Sequence, residues 1–183
     1  MSRVPLIALF LFAWLAVFAQ TQFPILTSWL GIPVNLLPAL MVYSSLTHAL
    51  PVVAAVAVVT GLGLDSLSAA PPGVSILPLF AIGFTLHLRR HLILRDQTYA
   101  QFWLGLAAGL AVPVLTLFML QLTGPEPITG PFLAWQFALT AALNGVACPA
   151  LFSLFDALTR TFDYQPMTES SFRPDREIKR GRL

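Results

Sequence analysis

The side chains whose chemistry could serve catalysis or metal binding are few and widely separated in this sequence. His87 and His91 are four residues apart, a spacing that places two imidazoles on one face of a helix. A metal site needs a third ligand, and the nearest candidate, Asp96, follows a cluster of arginines whose positive charge opposes a bound cation. The arginines are Arg89, Arg90 and Arg95. The pattern favours a basic cluster that contacts anionic lipid head groups or a partner's acidic face, with a metal site as the alternative.

The remaining reactive residues do not assemble into a catalytic set. An enzyme needs a nucleophile beside a base, paired carboxylates or a metal triad, and the sequence places none of these together. Cys148 is the single cysteine, so no disulfide or cysteine cluster can form within one chain. We therefore predict no catalytic residue, no bound metal and no cofactor. His48 is predicted to be a hydrogen-bonding turn residue.

The composition is that of a membrane protein. Hydrophobic residues make up 57% of the 183-residue chain and charged residues only 10%, against roughly 25% in a soluble domain. The 61 residues between Arg3 and Asp65 carry no Lys, Arg, Asp or Glu, which is enough for more than one crossing at about 20 residues each. A net charge of +2 gives no sign of nucleic-acid binding.

Helix breakers divide the apolar sequence into six stretches. The chain is thus predicted to be an all-α integral membrane protein with six transmembrane helices over residues 1–160, followed by a polar basic cytoplasmic tail, 161–183. The predicted spans are approximately 4–19, 33–47, 49–64, 74–88, 101–122 and 132–157. The second and third form one apolar run that contains Pro38 and Pro51. The alternatives are one helix kinked at Pro51 and two helices joined by a tight turn near His48.

The basic residues decide the orientation. With six spans and Arg3 in the cytoplasm, all ten basic residues lie on the cytoplasmic side, whereas five spans would place some of them outside. Both termini are therefore predicted to be cytoplasmic, in a multi-pass membrane protein. The first segment also resembles a signal peptide, and residues 20–32 are expected to lie along the outer membrane surface. Cleavage after the first segment is left open.

Small residues indicate where helices approach each other. Gly105 and Gly109 form a G-x-x-x-G pattern in the fifth span. A second row, in the sixth span, consists of Ala134, Ala138 and Ala142. Such rows let helix backbones pack closely in lipid, either within the bundle or against another membrane protein. Asn144 should face a helix rather than lipid, and Pro149 should kink the sixth span.

The segment GLGLDSLSAAPPG, residues 61–73, contains the first acid of the chain. Asp65 is predicted to stand at the outer end of the third span, hydrated, where it caps a short turn that begins at Ser66. The prolines and Gly73 then allow the chain to reverse. Direct contact of Asp65 with a partner is the alternative.

These motifs resemble those of the rod shape-determining protein MreD family. The resemblance covers residues 3–160 and is carried by Gly61, Asp65 and Gly73, the arginine cluster, and Asn144 with Pro149 before a basic end. It implies a non-enzymatic subunit of the cell-elongation complex, located in the bacterial inner (plasma) membrane, that scaffolds MreC and the peptidoglycan synthases. The implied partners are MreC and, through it, MreB, RodA and a class B penicillin-binding transpeptidase.

The resemblance also implies a fold. The family's fold is similar to the six-helix substrate-binding component of energy-coupling-factor transporters, so a vitamin- or small-solute-binding transporter subunit is the alternative function. A scaffold predicts close-packing faces for partners. A transporter subunit predicts a polar-lined pocket that opens to the outside.

Overall fold

The computed structural model of the chain describes residues 3–22, 35–67, 71–92, 97–123 and 130–162. The predictions for the loop 20–32 beyond Gln22, for Arg95 and for the tail beyond Phe162 lie outside the described residues. The helices are α1 (Arg3–Gln22), α2 (Leu37–Thr47), α3 (Leu50–Leu67), α4 (Ile76–Arg89), α5 (Thr98–Thr123) and α6 (Pro131–Phe162). A single 3₁₀ turn, Arg90–Leu92, continues α4.

The predicted all-α class is confirmed for the described residues, which form helices and no strand. The predicted number of membrane crossings is not supported in the same way. Within the described ranges, three helices are long and apolar enough to cross a bilayer: Leu50–Leu67, Thr98–Leu122 and Phe132–Thr159. The other three apolar helices are shorter, so helix length does not support the prediction of six transmembrane helices.

Among the described helices, five form a ring around a central helix, α2. The ring runs α1, α3, α4, α5, α6 and back to α1, and each neighbouring pair is in contact. The central helix, α2, contacts all five ring helices. Ten of its eleven residues are buried, from Leu37 to Leu46. The helix that the hydropathy pattern could not separate from its neighbour is therefore the centre of the molecule.

The break between α2 and α3 falls at His48 and Ala49, and the chain forms two helices there rather than one kinked helix. Pro51 lies in the first turn of α3, where its missing N–H leaves no intrahelical bond unmade. Pro38 occupies the equivalent position in α2. Both prolines thus start helices instead of interrupting them.

An aromatic cluster fills the bundle near the C-terminus of α2. The Tyr43 ring stacks on Phe155 with centroids 4.4 Å apart, and meets Phe152 edge-on at 5.0 Å. Phe12 of α1 contacts the other side of Phe155 at 5.5 Å. The three rings of Tyr43, Phe152 and Phe155 are almost fully buried, so this cluster ties α1 and α6 to the central helix.

The closest helix contact joins α5 to α6 at the predicted glycine pair. A Cβ atom on Gly105 would lie 2.4 Å from the carbonyl oxygen of Asn144 and 2.6 Å from Cβ of Cys148. On Gly109 it would lie 2.7 Å from Cβ of Asn144 and 3.0 Å from Cα of Ala141. Because these neighbours are backbone or short buried side chains, they cannot move aside, and only glycine fits at either position.

Gly105→Ala should therefore destabilise the protein strongly for so small a change. We expect a loss of about 2 kcal/mol in the free energy of unfolding, because the added methyl group overpacks the seam between α5 and α6. Thermal unfolding in a mild detergent measures the effect. Gly130→Ala is the matched control, since nothing lies within 4 Å of a Cβ atom there. Equal melting temperatures for the two variants would contradict this account of the seam.

Candidate functional site

The side-chain amide of Asn144 connects three parts of the bundle. It is fully buried at the contact of α5 with α6. Its Oδ1 accepts a hydrogen bond from the backbone N–H of Ala39 at 3.1 Å, in the first turn of α2. Its Nδ2 donates to the carbonyl oxygen of Asn35 at 2.7 Å and to that of Thr140 at 2.9 Å. Asn144 therefore faces helices, and it caps α2 from a neighbouring helix.

These hydrogen bonds set the depth of α2 within the bundle. Asn144 is the fourteenth residue of α6, about 20 Å along the helix axis from its first residue. With eleven residues, α2 is only about 16 Å long. Beginning beside Asn144 and ending near the Phe155 cluster, α2 lies beside only the second half of α6.

Asp65 lies at the other half, where α3 ends and α4 begins, a region we call the Asp65 end. Its Oδ2 accepts the backbone N–H of Gly73 at 2.6 Å, and both carboxylate oxygens lie 3.3 Å from the N–H of Ser75. Gly73 has φ +100°, a conformation that favours glycine and turns the chain toward the carboxylate. The carboxylate thus satisfies orphan N–H groups just before α4.

This arrangement corrects two predictions about Asp65. The residue lies within α3, which continues to Leu67, and so does not end the helix before a turn at Ser66. It is also 4% exposed rather than hydrated. The sequence missed this because the acceptor and its donors are eight and ten residues apart, across a turn that local capping rules do not cover. Gly61, another motif residue, packs closely on Ile76 of α4, because a Cβ atom at residue 61 would lie 2.7 Å from Cγ1 and 2.8 Å from Cα of Ile76.

The histidines lie at the opposite end of the bundle, which we call the His48 end. Nδ1 of His87 is 3.1 Å from the carbonyl oxygen of Ser45, so this imidazole connects α4 to the last turn of α2. His48 is buried and meets the Tyr43 ring edge-on at 6.1 Å. His91 and Arg89 are exposed. Within the described ranges no three His, Cys, Asp or Glu side chains come together as a possible metal site.

The two rows of small residues have different surroundings. Gly105 and Gly109 are buried against α6, whereas Ala134, Ala138 and Ala142 are all exposed on the outer face of α6. Thr140, Ala141, Asn144, Gly145 and Cys148 form the face that packs toward the bundle. Phe132, Trp135 and Val146, also on α6, are each more than 60% exposed. Of the two alternatives for the alanine row, packing within the bundle is not what the structure shows.

A cleft of about 230 Å³ lies between the N-terminus of α2 and the Asp65 end. We call it the axial cleft because Asn35, just before α2, and residues of α3, α4, α5 and α6 line it. Its polar lining residues are Asn35, Ser75 and Thr116, and its walls are aliphatic apart from Pro113 and Phe137. The space exists because α2 begins beside the middle of α6, so that α2 does not extend along the first half of α6.

A second cleft, at the His48 end, has a volume of about 570 Å³. Its lining includes Thr98 and Gln101 of α5 and Pro149, Ser153 and Asp156 of α6. The Ser153 hydroxyl already donates to the carbonyl oxygen of Ala150 at 2.8 Å. Pro149 is an interior residue of α6 and lines this cleft.

Comparisons of the chain with protein-family models, with curated proteins and with solved structures gave no match. The resemblance to the MreD family consequently rests on the motif residues alone.

Asn144→Leu should lower the free energy of unfolding by about 2 kcal/mol, because the Ala39 N–H and the Asn35 carbonyl oxygen lose their partner inside the bundle, whereas the Thr140 carbonyl oxygen keeps its helical bond. Gln136→Leu is the control on the same helix, since the Gln136 side-chain amide makes no hydrogen bond to a described residue. We expect it to change stability by less than about 0.5 kcal/mol. Thermal unfolding of both variants in detergent measures the difference, and similar losses would refute the capping role of Asn144.

Asp65→Ala should release the start of α4. Without the carboxylate, the N–H groups of Gly73 and Ser75 lose their acceptor, and we expect a loss of about 1–2 kcal/mol. Asp65→Asn keeps one acceptor oxygen and should lose less than half as much. Hydrogen exchange measured by mass spectrometry should show faster exchange at residues 73–75 in the alanine variant. Unchanged protection there would mean that these contacts do not hold the turn.

Proposed function

We propose that this protein is a non-enzymatic membrane subunit of the bacterial cell-elongation complex. In that complex it scaffolds MreC and, through MreC, the actin-like MreB, RodA and the class B penicillin-binding transpeptidase. The observation that carries the proposal is the exposed alanine row of α6. Ala134, Ala138 and Ala142 leave a smooth strip on the outside of the bundle, where a second helix can approach closely.

The proposal places the bundle in the inner membrane, with six crossing segments and both termini in the cytoplasm. Large apolar side chains are exposed on every helix of the ring, as lipid contact requires. Examples are Trp14 on α1, Leu62 on α3, Phe84 on α4, Phe118 on α5 and Val146 on α6. The central helix contacts protein on every side, so α2 does not need to match the bilayer thickness by itself.

Charge and aromatic residues support the cytoplasmic assignment of the His48 end. Arg89 is exposed where α4 ends, and Tyr99 and Trp103 are 72% and 50% exposed at the start of α5. Arginine beside exposed aromatic rings is the pattern expected at a membrane interface that faces the cytoplasm. Here Arg89 and Arg90 are proposed to contact anionic lipid head groups or an acidic partner surface.

The alanine strip can be tested by filling it. Ala138→Phe should reduce co-purification of MreC from membranes at least fivefold and should give rounded cells, because the added ring keeps a partner helix away from α6. The fold should be unaffected, since residue 138 is exposed. The readouts are the amount of MreC recovered with the tagged protein and the cell shape of a strain that depends on the variant.

The matched control is Ala107→Phe, which makes the same change at an exposed position of the neighbouring helix α5. Both variants should show the melting temperature of the wild-type protein. MreC recovery that is equal for wild type and Ala138→Phe would remove the alanine strip as the docking face. Loss of MreC with both variants would show that the effect is not specific to α6.

A further inference from the structure

Two of the residues that line the axial cleft carry hydrogen-bonding groups that no described residue uses. The backbone N–H of Leu37 donates to Oδ1 of Asn35 at 3.0 Å, which fixes the orientation of the amide because only the oxygen can accept. Its Nδ2 donor group makes no hydrogen bond to a described residue. The same holds for the hydroxyl of Ser75. Both residues line the cleft.

The backbone at the start of α2 is not the source of this polarity. The N–H of Leu37 is bonded to Asn35 and that of Ala39 to Asn144, while Pro38 has no N–H to offer. The third polar lining residue, Thr116, already donates its hydroxyl proton to the carbonyl oxygen of Val112 at 2.9 Å. The side-chain donors left for a ligand among the described lining residues are therefore the Asn35 amide and the Ser75 hydroxyl.

Apart from Thr116, the other described lining residues are apolar. Leu79 and Val112 are almost fully buried and close the inner part of the cleft. Leu117 and Phe137 are partly exposed lining residues. Apolar walls with a few convergent polar groups are the usual composition of small-molecule sites, and a volume of about 230 Å³ suits a small ligand, such as one with a single ring.

The charge near the cleft selects against anions. Asp65 lies beside Ser75, with both carboxylate oxygens 3.3 Å from the Ser75 N–H. The described residues that line the cleft include no Lys, Arg or His. A negatively charged ligand would lie near the Asp65 carboxylate, in an apolar setting and without a compensating cation from those residues, which is unfavourable. A neutral acceptor would meet only the donors of Asn35 and Ser75.

We infer that the axial cleft binds a small neutral molecule that has an apolar body and a carbonyl or hydroxyl oxygen. The apolar body lies against Leu79, Val112 and Phe137, and the oxygen accepts from Asn35 Nδ2 and the Ser75 hydroxyl. This site is separate from the exposed face of α6 and does not depend on the scaffold function.

Benzamide and benzoate form a suitable probe pair, because they have nearly the same shape but only benzoate is charged. Saturation-transfer NMR on the full chain in lipid nanodiscs, with empty nanodiscs as the background, measures binding of each probe. Leu117→Trp fills the cleft, and Leu110→Trp places the same side chain at an exposed position of α5 as the matched control. Ser75→Ala removes only the hydroxyl and keeps the backbone N–H that Asp65 accepts.

We expect saturable binding of benzamide to wild type and to Leu110→Trp, with affinity at least tenfold lower for Leu117→Trp. Ser75→Ala should weaken benzamide about fivefold, the effect of one lost hydrogen bond. Benzoate should bind at least tenfold more weakly than benzamide. A benzamide signal no larger than that of empty nanodiscs, or one unchanged in Ser75→Ala, would overturn the site. Benzoate binding as tightly as benzamide would overturn the neutral class of ligand.

Discussion

The bundle depends on one buried amide. Asn144 makes three hydrogen bonds inside an apolar assembly, to the Ala39 N–H and to the carbonyl oxygens of Asn35 and Thr140. A polar group without partners in such surroundings is costly, and a partly satisfied one nearly as much. The amide therefore fixes α2 at one depth and one orientation against α6. The glycines of α5 make this possible, because any side chain at residue 105 or 109 would occupy the space that Asn144 and its helix need.

Several features of the fold follow from where this contact holds α2. Because the helix starts beside the middle of α6, its last turn reaches the Tyr43 and Phe155 cluster and the His87 imidazole. The ring helices are longer and continue past Asn35, so they surround a space that α2 does not fill. Asp65 holds the ring together on that side by joining the end of α3 to the start of α4. The two ends of the bundle thus differ: aromatic rings pack around α2 at the His48 end, whereas the axial cleft lies beyond the N-terminus of α2 at the Asp65 end.

Hydropathy and helix breakers predicted the all-helical class and the positions of the six helices that the described residues form, because the same prolines and polar residues that separate apolar stretches also begin and end helices. They did not predict how many of these helices are long enough to cross a membrane. They did not predict which helix is central. A helix surrounded by protein and a helix surrounded by lipid are both apolar, so α2 and its neighbours look alike in composition. The partners of Asn144 are 105 and 109 residues away in the chain, and no local pattern indicates them. Nor does spacing alone distinguish the buried glycine pair of α5 from the exposed alanine row of α6.

The contacts of Asn35 join the packing of the core to the axial cleft. Its carbonyl oxygen and Oδ1 are used by Asn144 and by the first turn of α2, while its Nδ2 group makes no hydrogen bond to a described residue and the residue lines the cleft. The side chain cannot rotate without losing the bond to Leu37, so the donor is held in place before any ligand arrives. A polar group whose position is fixed by the core loses little conformational entropy on binding. Asn35 thus has two roles: it helps to fix the depth of the short central helix, and it lines the cleft that this helix leaves unfilled.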